Sequence, residues 1–158
     1  MKRILFIFGT RPEAIKLSPV ILYLRRCLDF DVRTCATAQH RELLDQVLTV
    51  FRIKPDYDLD LMLPGRSLAQ ASSRILAALE SVLLQEEPDL VLVQGDTTTT
   101  LCGALAAFYR RIPVGHIEAG LRTGDLAQPF PEEMNRVVAT RLSTLHFAPT
   151  ELAAENSR

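Results

Sequence analysis

Cysteine is scarce in this sequence, and no stretch stays apolar for long. The three cysteines, Cys27, Cys35 and Cys102, are an odd number without C-x-x-C spacing. That pattern argues against a disulfide framework or a four-cysteine zinc site. It leaves free thiols, which are usually buried. No apolar run approaches the ~20 residues of a membrane span. Residues 4–8 are too few for the core of a secretory signal and follow only two basic side chains, so a cytoplasmic protein is expected. Neither charge sign is in excess: 18 Lys+Arg face 19 Asp+Glu, a net charge of −1. That balance calls for no nucleic acid and no anionic membrane as partner. The glycine fingerprints are missing as well. There is no G-x-G-x-x-G and no G-x-x-x-x-G-K-[ST], so the usual dinucleotide and P-loop sites are absent.

What the sequence does contain is an alternation. Its 158 residues, 47% apolar and 23% charged, suit one ordinary globular domain. Short apolar runs at residues 3–8 (RILFIF), 32–37, 90–93 (LVLV), 114–117 and 145–147 read as strands buried on both faces, the mark of a parallel sheet. Between them lie helical spacings. Leu17, Val20, Ile21, Leu24 and Leu28 form one, with Pro12 at the helix start, where its missing N–H costs nothing. Leu43, Leu44, Val47, Leu48 and Phe51 form the second. Ile75, Leu76, Leu79, Val82 and Leu83 form the third, capped by Ser67. Leu101, Leu105, Ala106 and Phe108 form the fourth, and residues 133–142 the fifth. Residues 54–65 break the periodicity, hold two prolines and read as a loop. The order β-α-β-α-loop-α-β-α-β-α-β implies right-handed crossovers and a doubly wound, Rossmann-like parallel α/β sheet. Residues 150–158 read as the beginning of a further helix, so the domain is expected to be truncated.

In such a sheet, ligands bind beyond the carboxyl ends of the strands. The first exit carries Gly9, Arg11 and Lys16 around a helix start. This is either an anion site or a capped turn with solvated charges. The second carries Gln39 and His40, either ligand contacts or polar loop. The third carries Gln94-Gly95-Asp96 and then four threonines. Their β-branching disfavours helix, so they either cap the helix or face a ligand. The fourth carries His116-Ile117-Glu118. That triplet lacks the P-C-x-x-C of a zinc deaminase, so no metal is expected and Glu118 reads as an acid, base or ribose contact. Gly120 and Gly124 would let the next loop move or approach a ligand. Glu132 and Glu133 open the fifth helix, where one acid of the pair is an ordinary complement to the helix dipole. Three carboxylates, Asp96, Glu118 and Glu132, are thus expected at one sheet edge with Arg11 and Lys16. Crowded carboxylates raise one another's proton affinity and cations lower it, which separates acid from base roles.

At these residues the sequence resembles the non-hydrolysing UDP-N-acetylglucosamine 2-epimerases. The matching stretches are FGTRPEAIKLSPV, TAQHRELLDQVL, VQGDTTTT, AAFYRRIPVGHIEAGLRTGDL and PFPEEMNRVV, in the family's order along nearly the whole chain. The resemblance implies the N-terminal half of a glycosyltransferase-B-type protein. There, two Rossmann-like domains hold the substrate between them, and the C-terminal, UDP-binding domain is absent from this sequence. It implies interconversion of UDP-N-acetylglucosamine and UDP-N-acetylmannosamine through elimination and re-addition of UDP. No cofactor is needed, the full-length protein is a homodimer, and the 158-residue half is inactive alone. By motif, Lys16, Asp96, Glu118 and Glu132 match catalytic residues and Arg11 a nucleotide contact. Gln39 and His40 match part of an activator site for a second UDP-sugar. Two stretches depart from the family: Ala127-Gln128 stands where Tyr-Ser is common, and the loop at Pro64-Gly65-Arg66 differs. A 2-epimerase for a related UDP-2-acetamido sugar, a non-catalytic nucleotide-sugar binding module and a glycosyltransferase acceptor domain are the competing expectations.

Overall fold

Strand β1 (Lys2–Phe8) is the hydrophobic axis of the molecule, and its alternation sorts the helices onto two faces. The structure, a computed structural model, describes residues 1–38, 41–61 and 63–158. After β1 come α1 (Arg11–Leu24), β2 (Phe30–Ala36), α2 (Arg41–Val50), β3 (Tyr57–Asp58) and α3 (Leu68–Glu86). Then follow β4 (Leu90–Gln94), α4 (Thr98–Tyr109), β5 (Val114–Ile117), α5 (Glu132–Leu142), β6 (Leu145–Phe147) and α6 (Glu151–Asn156). Every strand pair is parallel, in the order β3-β2-β1-β4-β5-β6. Ile4, Phe6 and Phe8 pack with Leu17 and Ile21 of α1 and Leu44 and Leu48 of α2. Leu5 and Ile7 point the other way, onto Ile75, Leu79 and Leu83 of α3 and Cys102 and Ala107 of α4, with Ala139 of α5 in the same cluster. Each large side chain so buried contributes roughly 1.5–3 kcal/mol. The strand order turns back between β1 and β4, and a doubly wound sheet opens its ligand crevice at that point.

The doubly wound expectation holds, with several local differences. The segment read as one loop contains β3, which pairs Cys35 with Tyr57 and Ala36 with Asp58. Two residues are too few to show a period. The Asp56 carboxylate anchors them, accepting from the Thr34 amide (2.8 Å) and hydroxyl (2.9 Å). Helix α5 starts at Glu132 rather than 133. The strand at 145–147 is not buried on both faces: it is the sheet edge, and Leu145 and Phe147 stay exposed. Leu28 lies beyond the end of α1 and is exposed, as are Leu43 and Phe108, because their helix faces turn away from the sheet. Cys35 and Cys102 are buried, and burial lifts the Cys35 thiol to about 12, but Cys27 is partly exposed near the end of α1. Ser67 caps α3 as expected, its Oγ accepting from the Gln70 amide at 3.2 Å while the Gln70 side chain accepts from the Ser67 amide at 3.1 Å.

Candidate active site at the exits of β1, β4 and β5

Gly9, Asp96 and Glu118 follow the carboxyl ends of β1, β4 and β5, so one edge of the sheet carries all three. Between these exits lies a cleft of about 220 Å³, lined in part by Glu13, Lys16, Gln94, Asp96, Glu118 and Arg136. Lys16 stands one and a half turns into α1 and reaches across the switch point to Glu118 Oε2, at 2.6 Å. Gln94, the last residue of β4, donates its side-chain amide to the same oxygen. Glu118 itself sits at φ +64°, a left-handed backbone sparsely populated by residues other than glycine. Its amide donates to the Phe147 carbonyl of β6 at 2.9 Å, which secures that turn.

The turn bearing Asp96 is gripped through three successive carbonyls. Gln94 O accepts from Thr100 Oγ1 (2.7 Å), Gly95 O from His116 Nε2 (2.7 Å) and Asp96 O from Asn135 Nδ2 (2.9 Å). His116 is therefore a positioning group with both ring nitrogens engaged. A carbonyl can only accept, so Nε2 carries the proton and Nδ1 is left to face the Thr140 hydroxyl at 3.3 Å. Burial holds this imidazole below its ordinary titration range. The Asp96 carboxyl is held above the usual carboxylate range, chiefly by burial. Arg136, 3.4 Å away, opposes that rise, Glu132 and Glu118 add to it, and Lys16 opposes it again. Four of the expected residues, Lys16, Asp96, Glu118 and Glu132, thus share one electrostatic field.

Arg11 is exposed in the first turn of α1 and is not among the residues lining the cleft. Gln39 and His40 lie outside the described residues. Three of the four threonines, Thr97, Thr99 and Thr100, engage their hydroxyls with other protein groups, and Thr98 is buried. Thr97 caps α4 by accepting from the Thr100 amide (3.1 Å) and donates to Glu13, and Thr99 meets Thr37 at 2.8 Å. Gly120 approaches α6 rather than a ligand: a Cβ there would lie 1.8 Å from the Ala153 carbonyl oxygen. Of the acidic pair, Glu133 is the structural member. It is buried, accepts from the Thr123 and Gly124 amides at 3.0 and 3.2 Å, and pairs with Arg136 at 2.5 Å. Among the described residues, no group of three or more His, Cys, Asp or Glu side chains is arranged to hold a metal ion.

Sequence reasoning missed Glu13, Gln94, Asn135 and Arg136. Glu13 is fully buried. Its Oε2 accepts from the Gly9 amide (2.9 Å), the Thr10 amide (2.7 Å) and the Thr10 hydroxyl (2.8 Å). Only the three-residue spacing from Thr10 to Glu13, a helix-start signature, could have pointed to it.

A protein-family model described as UDP-N-acetylglucosamine 2-epimerase matches residues 23–157. The chain belongs to that family. It is 56% identical over 154 residues to the UDP-N-acetylglucosamine 2-epimerase of Salmonella typhimurium, which covers 98% of this chain and 41% of that protein. Its fold superimposes on the UDP-GlcNAc 2-epimerase of Neisseria meningitidis, solved bound to UDP-GlcNAc, with a TM-score of 0.95 and 55% identity over 98% of this chain and 42% of that one. The chain therefore spans about two fifths of the length of these family members. A more distant likeness, to MurG of Acinetobacter baumannii at 19% identity and TM-score 0.65, concerns the fold alone.

Proposed function

We propose that this chain is the N-terminal, Rossmann-like half of a two-domain 2-epimerase that interconverts UDP-N-acetylglucosamine and UDP-N-acetylmannosamine. The observation that carries the reading is the convergence of Lys16, Asp96 and Glu118 on one cleft at the switch point, inside a chain of this family. The chemistry needs such a set. The C2 proton of the sugar is a poor acid until the C1–O bond lengthens. A carboxylate takes the proton, the C–H pair becomes the C1–C2 double bond, and the C1–O pair leaves on UDP. Re-addition returns UDP to C1 and a proton to the opposite face of C2. Carboxylates on the two sides of C2 serve the two faces, and Asp96, whose proton affinity burial raises above the usual carboxylate range, suits the one that gives the proton back. Lys16 tunes the carboxylates, Glu132 strengthens the field around Asp96, and Arg11 meets the diphosphate from the rim. Gln39 and His40 serve a second UDP-sugar acting as activator.

The rest of the reading follows from that activity. The complete protein works without a cofactor, in the cytoplasm, as a homodimer, supplying amino-sugar nucleotides for cell-surface polysaccharide, with no nucleic-acid partner. No described helix is long and apolar enough to cross a membrane. The test is made in a two-domain protein carrying this half. Asp96→Asn, Glu118→Gln and Glu132→Gln should each lower turnover by roughly 10²–10⁴-fold, with a parallel fall in exchange of the C2 hydrogen for solvent deuterium. Normal exchange in all three variants would overturn the assignment. Turnover of a diacetamido UDP-sugar in preference to UDP-N-acetylglucosamine would move the substrate to that related class.

A further inference from the structure

We propose that Gln94 is the positioning residue of Glu118, selecting which carboxylate oxygen is held and which receives the proton. The proposal rests on the reading of Glu118 as a proton-transfer group. Gln94 is only 3% exposed and ends β4 opposite Ile117, the residue before Glu118, so strand register sets its side chain beside that carboxylate. Its amide nitrogen and the Lys16 ammonium both donate to Oε2. Among the described residues no donor reaches Oε1. One oxygen is thus occupied by two donors and the other is free.

The two donors differ in kind. The ammonium brings a full positive charge. The amide brings orientation only, because it carries no proton that it can surrender near neutrality. With Oε2 occupied, a proton taken by Glu118 must reside on Oε1 and must leave from it. The carboxylate therefore cannot rotate to take the proton on one oxygen and keep it on the other. This matters in a site whose product is defined by the face of C2 that receives the proton. The left-handed backbone at Glu118 supports the same end, because the residue leaves β5 at a fixed angle with its amide held by Phe147.

The experiment is a pH titration of the Glu118 carboxyl carbon by NMR in the 158-residue chain, compared among the native sequence, Gln94→Glu and Gln94→Met. Charged groups near Glu118 are Lys16 from α1, Asp96 from the β4–α4 turn and the buried His116 of β5, and all three are unchanged in these variants. Gln94→Glu keeps the shape but sets a second carboxylate against Oε2. The Glu118 midpoint should rise by about one pH unit or more. Gln94→Met keeps the volume and loses the donor, and should raise the midpoint by less. Unchanged or lowered midpoints in both variants would overturn the proposal, and Gln94→Met alone decides the matter if Gln94→Glu does not fold. In the two-domain protein, Gln94→Met should lower kcat at least about tenfold with KM within about twofold, because the amide orders the carboxylate without binding substrate. A loss confined to KM would overturn it. Full C2 exchange in Glu118→Gln would sink the underlying reading instead, while the titration still reports on Gln94.

Discussion

Glu13 Oε1 accepts a 2.8 Å hydrogen bond from the Thr97 hydroxyl, and this contact joins the exit of β1 to the exit of β4. The other Glu13 oxygen holds the Gly9–Thr10 turn, so one buried carboxylate spans the crevice floor. Lys16 and Asp96 stand on the two elements it connects.

The first prediction concerns the charge of Glu13. Burial raises its proton affinity above the ordinary value of 4.5, against the pull of five hydrogen-bond contacts. A carboxyl raised in the folded state favours folding at low pH, and that contribution is lost as pH rises through the folded value. Glu13→Gln should therefore be more stable than the native chain at pH 7, with the difference vanishing below about pH 4.5. Glu13→Ala should lose about 1–3 kcal/mol for each buried donor left unpaired. Urea unfolding at pH 7 and pH 4 measures both, and a Gln variant weaker at pH 7 than at pH 4 relative to native would be the contrary result.

His116 gives the opposite sign. Its folded value lies below the ordinary 6.5, chiefly through burial, so the unfolded chain binds a proton that the folded chain resists. Its contribution is complete above about pH 6.5 and is lost as pH falls toward the folded value. Stability should decline below pH 6.5 before most carboxylates titrate, and His116→Gln should abolish that part of the decline. An identical pH dependence in the variant would refute it.

Arg136 is only 11% exposed and stands between Glu133, which is 1% exposed, and Asp96. Burial works against the Glu133 charge, but Arg136 and the amides of Thr123 and Gly124 more than offset it and hold the carboxyl below its usual range. Arg136→Met should cost about 3–5 kcal/mol by leaving that carboxylate unpaired. The double variant with Glu133→Leu should recover much of the loss. A chemical-denaturation cycle without such recovery would contradict the pairing.

Gly120 and Gly124 both have positive φ, +91° and +84°, but only Gly120 is pressed against another element. Gly124→Ala should cost about 1 kcal/mol of backbone strain. Gly120→Ala must in addition displace α6 and break the 3.0 Å bond from Asn156 Nδ2 to the Gly120 carbonyl. Hydrogen exchange in α6 should accelerate in Gly120→Ala and stay native in Gly124→Ala.

The isolated 158-residue chain should bind UDP-N-acetylglucosamine no more tightly than millimolar, about −4 kcal/mol, and should not epimerise it. On the proposed two-domain reading, a chain without its second domain leaves its carboxylates in water, where charges are screened and remote binding energy is lost. Following the anomeric protons by NMR tests this, and product formation at the rate of a two-domain relative would show the half to be sufficient.

The sequence alone determined the layer architecture and which strand exits share one edge of the sheet. Apolar runs at residues 3–8 and 90–93 cannot face water on either side, so they had to be interior parallel strands, and the residues after them had to share an edge. Asp96, Glu118 and Lys16 were legible for that reason, and Glu132 from its place in the acidic first turn of the fifth helix. Tertiary structure alone decided the partners. Glu118 meets Gln94 because β4 and β5 pair in one register, and Glu13 meets Thr97 because β1 and β4 flank the switch point. Neither fact has a period or a spacing in the chain. The four threonines show the same limit: their pattern was visible, but whether the hydroxyls faced a ligand or the interior depended on where Glu13 and Thr37 came to rest. Local spacing reports which face a residue occupies, while the identity of its neighbour is fixed only when distant segments are packed together.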